Sequence, residues 1–154
     1  MPFNEVLSRL TTRCSTTELC LSDIRKKLDA TDLTDEEKEG ILHRLLDEGY
    51  VDEARYARAF VRDKFRFSGW GRIKIAQGLR AKQIATTDIA EALEEIDEDD
   101  YRHALRESLK AKRHTLRGKT DYETNAKLIR FAMSRGYETD VILKEIKAGD
   151  IDWL

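Results

Sequence analysis

The chain has 154 residues, of which 40% are hydrophobic and 38% charged, with a formal net charge of −2. That mixture excludes a collagen, a disulfide-stapled scaffold and a membrane-spanning protein, yet it holds enough apolar residues to build a core. One proline and eight glycines are too few for the turns of a sheet protein of this length, so the composition predicts an all-α fold. No run approaches the ~20 apolar residues of a membrane span, and the N-terminus Met1-Pro2-Phe3-Asn4-Glu5 lacks the layout of a signal peptide. Cys14 and Cys20 are too few for a framework and have no histidine nearby, so they read as reduced thiols of a cytoplasmic protein.

In chain order, a first helix occupies Phe3–Arg13. Ser15-Thr16-Thr17-Glu18 has capping-box spacing and predicts a second helix running to about Asp29. Thr34-Asp35-Glu36-Glu37 opens a third, stopped by Gly49 in the left-handed position that ends many helices. Asp52 caps a long helix to about Phe67, and a shorter one follows Ser68-Gly69-Trp70-Gly71 and reaches about Lys82. Thr86 or Thr87 starts the sixth. Asp97 opens the seventh, to about Leu116, Thr120 starts the eighth, ended by Gly136, and Thr139 starts the ninth, ended by Gly149.

The nine helices fall into three similar groups. Leu28, Leu33 and Leu42 match Leu79, Ile84 and Leu93 at a constant offset of 51; at an offset of 53, Leu79, Ile84, Ile89 and Leu93 match Ala132, Tyr137, Ile142 and Ile146. A period near 50 residues with helix–turn–helix content is a repeat architecture. Each unit is too small to be secure alone, so three tandem three-helix repeats are expected to pack as an elongated, curved rod. Their boundaries are expected at residues 1–50, 51–96 and 97–149, with a tail at 150–154.

The small net charge hides alternating blocks. Arg55 to Lys82 carries nine basic residues against Asp63 alone; Asp88 to Asp100 carries eight acids and no base; Arg102 to Lys119 carries seven bases against Glu107; Ser22 to Glu53 is acidic, eleven against five. Such blocks point to a partner with a field of its own. On a helix from Asp52, Arg55, Arg58, Arg62 and Arg66 fall within an arc of roughly 80° and form one stripe. Each guanidinium offers a planar fork of donors suited to phosphates or carboxylates. The competing reading is salt bridging of this stripe to the acidic block at 88–100. Tyr56, Phe60 and Phe67 lie on one apolar arc and Ala57, Val61 and Phe65 on another, so Phe60, Phe65 and Phe67 are expected in the core. Trp70, in the loop, is the better candidate for an exposed ring among basic residues, the composition of a single-strand binding surface.

Gly49-Tyr50-Val51-Asp52-Glu53-Ala54-Arg55-Tyr56-Ala57-Arg58-Ala59-Phe60-Val61-Arg62, then Gly71-Arg72-Ile73-Lys74 and Leu79-Arg80-Ala81-Lys82, together resemble the central signature of the RecX family, bacterial regulatory proteins of the recombinase RecA. Ser15–Leu28 and Leu128–Ile146, with Arg135-Gly136-Tyr137, extend the resemblance over most of the chain. Two positions depart from it: Gln83 stands where the family usually has glycine, and Trp70-Gly71 replaces a usual glycine-proline. The resemblance implies three tandem three-helix units and a monomeric negative modulator. Such a protein lies along the groove of the RecA filament on single-stranded DNA and inhibits strand exchange, ATP hydrolysis and coprotease activity. The expected docking residues are Arg55, Arg58, Arg62, Lys64, Arg66, Trp70, Arg72, Lys74, Arg80 and Lys82.

Enzyme chemistry finds little support. There is no phosphate-cradling glycine loop, no G-x-S-x-G and no paired-histidine motif, and His43, His103 and His114 read as surface residues. Asp97-Glu98-Asp99-Asp100 fails the calcium-loop pattern, since Arg102 holds the glycine position and Ser108 the closing glutamate. No catalytic residue, metal or cofactor is expected. Two other classes fit the residues: a stand-alone helix-turn-helix-like DNA-binding module, and a helical-repeat adaptor for another protein.

Overall fold

The computed structural model describes residues 2–116, 118 and 120–152. Among these the regular elements are all helices: α1 (Phe3–Thr16), α2 (Leu21–Asp29), α3 (Asp35–Asp47), α4 (Glu53–Arg66), α5 (Arg72–Ala81), α6 (Thr86–Glu94), α7 (Glu98–His114), α8 (Asp121–Ser134) and α9 (Thr139–Asp152). The all-α repeat fold is thus as the composition and period require.

Most helix ends follow the expected chemistry. Thr34 closes a full capping box with Glu37, the Asp52 carboxylate accepts from the Arg55 backbone N–H at 3.0 Å, and Asp97 and Thr120 accept from Asp100 and Glu123. Gly49 and Gly136 adopt left-handed φ of 76° and 95°. Gln83 does the same at 63° without being glycine. Its N–H bonds to the Arg80 carbonyl at 2.9 Å, and that of Ile84 to Leu79 at 3.1 Å, the paired closing bonds of a helix C-terminus. These two bonds offset the modest strain of a polar residue in this region.

Three expectations fail locally. Ser15 and Thr16 do not open α2; their hydroxyls donate back to the Thr12 and Arg13 carbonyls at 2.6 and 3.1 Å. They therefore prolong α1, and α2 starts after Cys20 with no side-chain cap. Gly149 does not end α9, which continues to Asp152; a glycine that stays right-handed only weakens a helix, by about 1 kcal/mol. The third concerns the aromatic arcs. Ala57 and Val61 are buried, and Phe65, though half-buried, packs against the core around Tyr101; but Phe60 is only half-buried and Phe67 is 84% exposed. Because α4 stops at Arg66, its angular period says nothing about the direction of the next side chain.

The chain divides into two compact units, residues 1–60 with 79–92 and residues 61–78 with 93–154. The first holds a core of Val6, Leu10, Ile24, Leu28, Ile41 and Leu45 with their neighbours. The second is centred on Tyr101, Leu105, Leu128, Ala132, Tyr137 and Ile142. The matched repeat positions Leu28, Leu79 and Ala132 are all buried, as are Leu33, Ile84 and Tyr137. The period therefore marks the apolar positions each repeat needs for its core.

Candidate functional site

In the second unit the approach to α5 is fixed from backbone to backbone. The Gly71 N–H donates to the Arg135 carbonyl at 2.7 Å and the Ile73 N–H to Gly136 at 2.9 Å. A Cβ on Gly71 would stand 2.6 Å from the Gly136 carbonyl carbon, and one on Gly136 would run into the Lys74 backbone and Cβ. Only glycine fits at either place. A proline at position 71 would lack the N–H that makes the first of these bonds.

This junction sets the first basic residue of α5. The Arg72 guanidinium bonds Glu138 at 2.8 Å and also Glu98, while its Cζ lies 3.8 Å from the centroid of the Tyr101 ring. The fully buried Tyr101 accepts from the Arg72 backbone N–H at 2.9 Å and donates to Glu138. Burial opposes the charge on Arg72, but the Glu138 hydrogen bond, with the nearby charges, holds its pKa above the ordinary value. For Tyr101, burial and Glu138 push the phenol pKa upward. Arg72 is thus engaged within its own chain by two carboxylates and a ring.

Two more expected residues are taken up in the same way in the first unit. Arg55 pairs with Glu18 at 2.6 Å and reaches the Gly49 and Tyr50 carbonyls. Lys82 pairs with Asp23 at 2.8 Å; that hydrogen bond outweighs burial and raises the lysine pKa. Asp23 experiences burial as its largest effect, upward, yet its bonds to Lys82 and Cys20 bring it below the ordinary carboxylate value. The partner of Arg55 lies outside the acidic block at 88–100, whereas Arg72 reaches that block through Glu98.

Arg62, Arg66 and Arg80 are exposed, and among the described residues none of the three forms an ion pair. Arg58 is half-buried on the same helix. Trp70, expected as an open ring, is half-buried instead, with the Lys64 and Lys74 ammonium groups each 4.7 Å from its ring centroid. Such contacts hold the ring between two cations. Between Arg55 and Lys82 the exposed aromatic is Phe67, which the sequence placed in the core. Between residues 61 and 78 the exposed cations and ring are Arg62, Arg66 and Phe67, and Lys64, Trp70 and Lys74 are half-buried. Among the described residues there is no cluster of three or more potential metal ligands, and no helix is long and apolar enough to cross a membrane.

A helical-repeat protein with a basic, aromatic loop belongs to a class whose surfaces bind macromolecules. The models for the second and third three-helix domains of RecX match residues 52–93 and 97–145. The regulatory protein RecX of Pseudomonas putida strain GB-1 is 32% identical over 130 residues, 84% of this chain and 81% of that protein. That of Ectopseudomonas mendocina is 33% identical over 128 residues, covering 83% of each. A crystal structure of regulatory protein RecX superposes with a TM-score of 0.82 at 25% identity, over 90% of this chain and 68% of that one. RecX from Lactobacillus salivarius shares the fold, with a TM-score of 0.89 over 97% of both chains at 17% identity. The chain belongs to the RecX family of regulatory proteins.

Proposed function

We propose that this protein is a non-enzymatic negative modulator of RecA that docks along the groove of the RecA filament on single-stranded DNA in the cytoplasm. There it obstructs strand exchange, ATP hydrolysis and coprotease activity. The observation that carries the reading is the pair Arg62 and Arg66, one turn apart on α4, exposed and without a carboxylate partner among the described residues. A cation that its own chain has left unpaired retains its full attraction for phosphate or carboxylate across an interface. Lys64 and Lys74, held against Trp70, add fixed positive charge beside them, and Arg58 lies one turn earlier on the helix. Arg55, Arg72 and Lys82 serve as the frame.

The test is capture of RecA by the immobilised protein with and without single-stranded DNA and a nucleotide analogue, together with inhibition of filament ATPase. Capture only of the assembled filament, lost in Arg62→Ala/Arg66→Ala, is the expected result. Equal binding to naked duplex with none to the filament would make this a DNA-binding module, and binding to neither an adaptor for another protein.

A further inference from the structure

The basic stretch that begins at Arg102 has no role in the reading above, and its C-terminal part forms a second site. Lys112 of α7 and Lys127, Arg130 and Phe131 of α8, with Leu116, line a concavity of about 430 Å³. Two cations flank the ring of Phe131: the Lys112 ammonium lies 5.4 Å from its centroid and the Arg135 guanidinium carbon 5.3 Å. Among the described residues Lys112, Arg130 and Arg135 form no ion pair. The α8 carboxylates, Asp121 and Glu123, sit in its first turn, two turns before Arg130, and Glu107 of α7 lies beside Lys110.

Arg135 links this concavity to the loop before α5. While it lies over Phe131 it also donates to the Ser68 carbonyl at 3.4 Å, next to the exposed Phe67. Arg135 thus stands between the loop that carries Arg66, Phe67 and Trp70 with its lysines and the concavity of Phe131, Lys112 and Arg130.

We infer that the α7–α8 concavity is a phosphodiester site that continues the loop surface, and that the two together hold one single strand of nucleic acid, with Phe67 as a stacking platform for a base. Charge alone would suit an acidic protein equally. The bare ring distinguishes them, because an aromatic face 84% open to water adds nothing to carboxylate pairing and is what an unstacked base requires. A duplex offers phosphates but no free base face, so the single strand is the favoured ligand. This rests on the proposed docking surface around Trp70, of which it is the extension.

The test is binding of a fluorescein-labelled oligo-dT by anisotropy across a salt series, for the full chain. The wild type is expected to bind with log K falling linearly in log salt. Lys112→Ala/Arg130→Ala should flatten that slope by about 1.4, two phosphates at ~0.7 each. Phe67→Ala should leave the slope and weaken binding roughly five- to 150-fold. An unchanged slope in the double variant overturns the concavity, and an unchanged affinity in Phe67→Ala overturns the platform. Competition by polyglutamate as strong as that by dT would assign the surface to an acidic protein and overturn the inference. Filament ATPase inhibition is measured on the same proteins. Oligo-dT binding without inhibition removes the RecA reading alone, and inhibition without oligo-dT binding removes this inference alone.

Discussion

The two compact units use their cations differently. In the first, several basic side chains are matched to carboxylates, among them Arg25 to Glu39, Lys38 to Asp29, Arg44 to Glu48, Arg55 to Glu18 and Lys82 to Asp23, while Arg80 is exposed. In the second, Arg72, Arg102, Arg106 and Lys110 are paired so, but Lys64, Lys74, Lys112 and Arg135 sit against aromatic rings. A carboxylate cancels a cation's far field, whereas a ring positions the cation and leaves its field intact. A net charge of −2 is therefore compatible with a strongly attractive surface, provided that the neutralisation is concentrated elsewhere.

The comparison can be broken at its supports first. Gly136→Ala adds a Cβ against the Lys74 backbone at a left-handed φ and is expected to lower unfolding free energy by about 3 kcal/mol or more in urea titrations. Gly69→Ala, with open space around its Cβ, should cost only about 1 kcal/mol. Equal losses would mean that backbone crowding is not what fixes the junction. Tyr101→Phe leaves the Arg72 N–H and the Glu138 carboxylate without their shared partner, an expected loss of about 2–3 kcal/mol in the same titration.

Charge tests come next. Arg62→Ala/Arg66→Ala should abolish most filament inhibition while stability stays within about 0.5 kcal/mol of wild type; a large drop in melting temperature would show that these arginines support the fold after all. The smallest effect sharpens the contrast from the other side. Asp23 has a depressed pKa in the folded protein, so its contribution is present above the unfolded value of ~3.9 and is lost as pH falls through the folded one. The melting-temperature gap between wild type and Asp23→Asn should narrow on acidification from pH 6 to below that value. Lys82, with its pKa raised, contributes below ~10.4 and loses its share only as pH rises beyond that. A gap unchanged by acid would remove the Asp23–Lys82 pair from the stability of the first unit.

Much of this was legible in the sequence because helices obey a period and their ends obey cap chemistry. The offsets of 51 and 53 located buried positions, and Thr34, Asp52, Asp97 and Thr120 located starts. The arginine arc on α4 was legible for the same reason. What each guanidinium meets was not, since Glu18, Glu98 and Glu138 lie 37, 26 and 66 residues from their partners and no local pattern joins them. Phe67 was misplaced because it falls one residue past the point where the helical period ceases to apply. Ser15 and Thr16 could cap forward or bond backward with the same hydroxyls, and only the packed chain decides between the two.

The pair of backbone bonds from Gly71 and Ile73 to Arg135 and Gly136 also dictates an order of assembly. Chains emerge from the ribosome from their N-terminus and fold in that direction, so the carbonyls that hold the start of α5 are delivered more than sixty residues after the amides they receive. During translation the ring of Trp70 and its lysines have no anchor from that side, and a nascent or prematurely terminated product cannot fasten its loop. The start of α5 is fastened only once α8 and the turn at Gly136 have been made, so the geometry of this loop waits on residues far downstream of it.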